Sequence, residues 1–191
     1  MSTALPRGVA AVAVVGAVAQ LAYGVLAIAF PWPAIAGTGG ELVWIVVNLG
    51  WIAALAGWAM VVAPGRTVVV GAAIASVGFA VRIVAAAVTI ASPASDPLPL
   101  VLASIALTLG GVAVVAVGTF LVRPVRSAVT WVPAIALVVE FGIASMYSAN
   151  TVLHFILLGL AWGAVLLAMA IVVAARARAA AAAEAPVTTA A

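Results

Sequence analysis

Apolar residues in this chain gather into six runs of about twenty, at roughly 8–30, 41–62, 68–91, 100–122, 128–148 and 151–174. A run of that length crosses a hydrocarbon core of about 30 Å as an α-helix. Lipid offers no partner to backbone N–H and C=O groups, so a spanning segment is either a helix or part of a closed barrel. The alternating pattern of a barrel strand is absent. The expected fold is therefore all-α, a polytopic integral membrane protein with six transmembrane helices. Composition agrees: 69% of the 191 residues are hydrophobic and 6% are charged, against about a quarter charged in an ordinary soluble domain.

The segments between the runs are punctuated by helix breakers. "PWPAIAGTGG" (31–40) and "SPASDPLP" (92–99) carry Pro, Gly and Ser, whereas "APGRT" (63–67) and "RPVRS" (123–127) are short basic turns. Only "SAN" (148–150) separates the fifth run from the sixth. Residues 1–175 form one helical domain in this reading. Residues 176–191 form an alanine-rich cytoplasmic tail that loses helical structure after Pro186. "AVA" at 17–19 imitates a signal-peptidase site, but the apolar run continues to Phe30, too long for a signal core.

The chain has seven arginines and no lysine, and six of the seven fall on one side of a six-span arrangement. Arg7 precedes span one, Arg66 lies between spans two and three, and Arg123 and Arg126 between four and five; Arg176 and Arg178 follow span six. The opposite loops hold Glu41 and Asp96 and no arginine. The positive-inside rule then puts both termini in the cytoplasm of a plasma-membrane protein. The basic excess marks topology, and no nucleic-acid partner is expected. With no cysteine there is no disulfide, thiolate metal site or cysteine nucleophile.

Arg82 is the one arginine that topology leaves unexplained. It stands inside "VGFAVRIVAAAVTI" (77–90), about 21 Å above the cytoplasmic end of span three. Glu140, in "ALVVEFGIAS", lies about 18 Å up span five, the only acid inside that run. Each charge costs about 2.5–3.5 kcal/mol at the centre of a spanning helix, so an ion pair at a shared depth is expected. Gln20 in span one, Asn48 in span two and Thr108 in span four reach the same layer. Helical spacing extends these into faces: Glu41, Trp44, Asn48, Trp51 and Trp58 on span two, Pro133, Glu140 and Tyr147 on span five, and His154, Leu158 and Trp162 on span six.

These residues sketch an outward-facing pocket for a small polar or amphipathic solute. Arg82 and Glu140 form its centre, Gln20, Asn48 and Thr108 orient the solute, and Trp44, Trp51, Tyr147 and His154 wall it. The same pair also fits a purely structural role, fixing helix register. Trp32, Trp44 and Trp131 lie near span ends, where aromatic belts form without a ligand. Gly159 and Gly163 are spaced for close helix contact, within the bundle or with another subunit.

Much chemistry is excluded by residue type. One histidine cannot supply bis-histidine heme ligation, although His/Met ligation is possible. A retinal Schiff base needs a lysine, and a zinc site would have to be built from His154 and carboxylates. "GTGGE" (37–41) opens no βαβ unit, so it is no dinucleotide fingerprint. The cofactor, if any, stays open. A histidine near the start of the sixth span invites comparison with rhomboid proteases. Span four reads "LASIALTLGG", however, without a glycine-x-serine nucleophile, and the spacing of His154 to Gly159 and Gly163 departs from that family. In size and topology the chain is similar to the substrate-binding subunits of energy-coupling-factor vitamin importers, six-helix chains with an outward pocket. None of their motifs can be matched here residue by residue.

"LGWIAALAGWAMVV" (49–62) aligns with "LAWGAVLLAMAIVV" (160–173), and "YGV" (23–25) with "FGI" (141–143), as if spans one–two and five–six were related hairpins. The leading expectation for function is a small-solute binding or transport component. A structural or assembly subunit of a larger membrane complex, or a homo-oligomer, is the second. An enzyme acting inside the membrane on a lipidic substrate, with Glu140 or His154 as acid–base group, is the third.

Overall fold

The computed structural model describes residues 4–30, 38–146 and 150–184. Six long helices carry almost all of them: α1 (Ala4–Ala29), α2 (Thr38–Gly57, continued by a π-helical turn over Trp58–Val62), α3 (Arg66–Ala91), α4 (Leu98–Val122), α5 (Ala128–Met146) and α6 (Thr151–Glu184). All six are long and apolar enough to cross a membrane, and there is no strand among the described residues. The six-helix expectation is met. Arg66 and Leu98 begin their helices two residues before the apolar runs do, because a helix continues past the apolar stretch until a turn-forming residue stops it. The last helix is unbroken through the alanine-rich segment to Glu184; Pro186 lies outside the described residues.

The ends are set by local chemistry. Asp96 Oδ1 accepts the Leu98 N–H at 2.9 Å at the start of α4, and Asn150 Oδ1 accepts the Leu153 N–H at 3.0 Å at the start of α6. Both satisfy amides that have no carbonyl partner in the first turn. Pro124 turns α4 into α5, its carbonyl accepting the Ser127 N–H at 3.0 Å and the Thr130 hydroxyl at 2.8 Å.

Consecutive helices pack side by side, and α1 closes on α6, so the six form a ring of antiparallel neighbours. Between apolar helices in lipid there is no net gain from excluding water, and close van der Waals approach takes its place. Glycines supply that approach. Gly16 of α1 meets Gly50 of α2 backbone to backbone, and Gly24 of α1 meets Gly159 of α6. On the α3–α4 seam, Gly71 faces Val115, Gly111 faces Ala75, and Gly78 lies against Thr108 and Ser104. Gly163 packs on Leu21, so both glycines of the α6 small-residue pair are used inside the bundle. The α5 helix makes no contact of this kind: a side chain at its Gly142 would meet nothing within 4 Å. The buried centre holds Trp51, Trp58, Trp162, Phe79, Leu166 and Met169.

The π-helical turn has no counterpart in the expected helices. Its closing bond runs from the Ala63 N–H to the Trp58 carbonyl at 2.9 Å, one residue wider than an α-helical bond. Val62 ends the helix, so its carbonyl has no helical partner, and Arg123 from the end of α4 donates to it through Nε at 2.6 Å and also through Nη2. Trp58 is held inward by a bond from its indole Nε1 to Thr119 Oγ1 at 3.0 Å.

A charged floor beneath a cavity

Gly78 and Arg82 stand one helical turn apart on α3. Because a Cβ on Gly78 would lie 2.8 Å from the Thr108 backbone nitrogen and 2.9 Å from the Ser104 carbonyl, only a glycine lets α4 come this close. The approach delivers two α4 hydroxyls, one turn apart, to the guanidinium. Arg82 Nε donates to Ser104 Oγ at 3.1 Å and Nη2 donates to Thr108 Oγ1 at 3.1 Å. Nη2 also reaches Glu140 Oε1 on α5 at 2.8 Å, forming the ion pair that matching depths predict. Thr108 closes the ring by donating to the same Glu140 oxygen at 2.6 Å. The Phe79 ring lies 5.3 Å from the guanidinium carbon, and its quadrupole adds to the stabilisation of the cation.

Three helices are thus bound by one network inside the bundle. Arg82 and Glu140 keep side-chain exposures of only 17% and 7%. The second carboxylate oxygen, Glu140 Oε2, is buried and accepts no hydrogen bond.

Above this network lies a cavity of about 520 Å³. Arg82 and Glu140 are in its lining, with Ala85, Ala86 and Thr89 continuing up α3, and Ile143 and Ala144 up α5. Glu41, Trp44 and Asn48 contribute from α2, and Val101, Leu102 and Ile105 from α4. His154, Leu158 and Trp162 contribute from α6. From Arg82 to Thr89 the wall rises about 10 Å along α3. Glu41, Asp96 and His154 belong to the helix ends opposite the basic turns, so the mouth is at the end of the bundle that bears the acids.

The residues expected at the site divide into three groups. Arg82, Glu140 and Thr108 are joined directly, and Trp44, Asn48 and His154 line the space above them. Asn48 donates to the carbonyl of Trp44 in its own helix at 2.6 Å. His154 Nδ1 lies 2.7 Å from the Ile143 carbonyl, which only accepts, so the ring donates there and ties α6 to α5. Gln20 and Trp51 form a separate buried network behind the wall. The Trp51 indole N–H donates to Gln20 Oε1 at 3.1 Å, and Gln20 Nε2 donates to the Leu158 carbonyl at 2.9 Å. Trp51 also lies between Phe79, stacked at 5.5 Å, and Trp162 at 4.3 Å, so the indole that meets the cavity is Trp162 and Trp51 backs it. Tyr147 lies outside the described residues.

Ser104, which helical spacing sets on one face of span four with Thr108, was not assigned to the site from the sequence, and neither was Asp96, which lines the cavity from the loop between α3 and α4. Among the described residues no cluster of three or more His, Asp or Glu side chains could hold a metal ion.

The fold and this site together define a six-helix membrane bundle with a charged intramembrane floor under an open cavity. No protein-family model, curated protein or solved structure matches the chain.

Proposed function

We propose that the chain is a small-solute binding or transport component of the plasma membrane, with both termini cytoplasmic and the cavity facing outward. One observation carries the reading: a cavity of about 520 Å³ whose floor is an ion pair, inside a bundle that is otherwise almost without charge. The two charges are packed against each other and mostly covered, as in a structural staple, but both residues also line a space large enough for a solute of drug-like size. Six arginines at the far end from the mouth support the outward orientation.

In this reading Arg82 holds Glu140 in place through Oε1, Thr108 and Ser104 set the guanidinium plane, and Trp44, Asn48 and Trp162 contact the solute. Gln20 and Trp51 act indirectly, fixing Trp162 and the α1–α6 seam from behind. Movement of the solute across the membrane would require the floor to open. The helix best suited to move is α5, which carries Glu140, has Pro133 within it and lacks the glycine seams of its neighbours.

The test is native mass spectrometry of the chain extracted from its own membrane in mild detergent. The expected result is a discrete small-molecule adduct that is lost in Arg82→Gln and in Thr89→Phe, the second of which fills the cavity about two turns above Arg82. A stoichiometric partner protein and no adduct would overturn the proposal in favour of an assembly subunit.

A further inference from the structure

The charges around the cavity are unequal. Carboxylates stand at the floor (Glu140) and near the mouth (Glu41, Asp96), while Arg82 is the one arginine in the described lining. Arg82 already donates from Nε to Ser104 and from Nη2 to Thr108 and Glu140. Glu140 is only half used. Its Oε1 receives both Arg82 and Thr108, whereas Oε2 is buried, on a side chain 7% exposed, with no donor. A buried carboxylate oxygen without a donor is costly, and a solute N–H that meets it, once the carboxylate turns Oε2 toward the cavity, relieves that cost. Trp44 supplies a half-buried indole ring to the wall, and indole rings attract cations more strongly than other aromatic rings, while Trp162 adds buried apolar surface behind it.

We infer that the solute of this cavity is a small amphipathic ammonium ion, a protonated primary or secondary amine whose N–H donates to Glu140 Oε2 while its apolar part lies among Trp44, Trp162 and Ile105. The inference rests on the solute-cavity reading above and narrows it to a chemical class. A carboxylate or phosphate solute would have to pass two acids at the mouth to reach the two Nη1 hydrogens that the guanidinium still has to offer. A neutral alcohol could donate to Oε2 but would gain nothing from the acids. An ammonium ion meets favourable charge at the mouth, and at the floor its positive charge offsets the carboxylate excess that Arg82 alone leaves.

Three probes of one shape separate these classes: phenethylamine, 2-phenylethanol and 3-phenylpropionate, titrated calorimetrically into the purified full-length chain. The expected result is that phenethylamine binds at least about tenfold more tightly than 2-phenylethanol and that 3-phenylpropionate does not bind. In Glu140→Gln the amine falls to the level of the alcohol. The double variant Glu41→Gln/Asp96→Asn leaves the floor network intact. It lowers amine affinity and leaves alcohol affinity unchanged, which keeps the test decisive if Glu140→Gln does not fold. Equal or tighter binding of the alcohol or the acid overturns the ammonium assignment and leaves the solute cavity standing. Binding of none of the three, together with no adduct in the native mass spectrum, overturns both.

Discussion

Arg82 concentrates the energetics of the molecule in one side chain. Its desolvation is offset by the Glu140 carboxylate, two hydroxyls and the Phe79 ring, and each of these depends on the cation remaining. Removing one member strands the others. Arg82→Gln is expected to destabilise the bundle by about 3–5 kcal/mol, because Glu140 is left charged and unpaired in a buried site. Replacing both partners with apolar residues, as in Arg82→Met/Glu140→Leu, is expected to recover most of that loss. Thermal unfolding in detergent measures both. If the double variant regains stability but loses the small-molecule adduct, the pair serves the solute rather than the fold. If it regains both, the pair is a staple. The pair itself was legible in the sequence, since two opposite charges at matching heights in apolar runs have few other partners. The positions of Gln20 and Trp51 were not. Depth places a residue on a level but not around the ring, and both face the α1–α6 seam instead of the cavity.

At the scale of the helix, the α3–α4 seam decides whether the floor can form. Gly78→Ala would set a Cβ 2.8 Å from the Thr108 nitrogen, and backbone must move to admit it. The expected cost is about 1–3 kcal/mol of overpacking. Separation of α4 from α3 would also pull Ser104 and Thr108 away from the guanidinium. Thermal unfolding should show the loss, and amine affinity should fall with it, although Gly78 is not in the cavity wall. Gly110→Ala, on the same helix pair with nothing within 4 Å, is the control and should change neither. Six helices were readable because apolar length alone specifies a spanning helix. The π-helical turn at Trp58–Val62 was not readable, because its cause is tertiary. Trp58 turns inward to Thr119, and Arg123 from the end of α4 takes the Val62 carbonyl where the turn stops. Nothing in "WAMVV" reports those two distant partners.

The ring as a whole is unevenly packed. Glycine seams lock α1 to α2 and α6, and α3 to α4, while α5 joins its neighbours through polar links: Glu140 to Arg82 and Thr108, and the Ile143 carbonyl to His154. The cavity lies beside this least tightly seamed helix, and its walls come from five of the six. On the proposed function, water and solute reach the intramembrane pair from the acid-bearing end of the bundle. Because the chain has no cysteine, single-cysteine variants in whole cells report this access without background. A membrane-impermeant maleimide should label Thr89→Cys and Ala144→Cys, both in the cavity wall, from outside. It should leave the outward-facing Val138→Cys unlabelled, and should reach Arg126→Cys only after the membrane is opened. Labelling of Thr89→Cys and Ala144→Cys no faster than Val138→Cys would contradict the account, because the charged floor would then lie in a sealed bundle with no route for a solute.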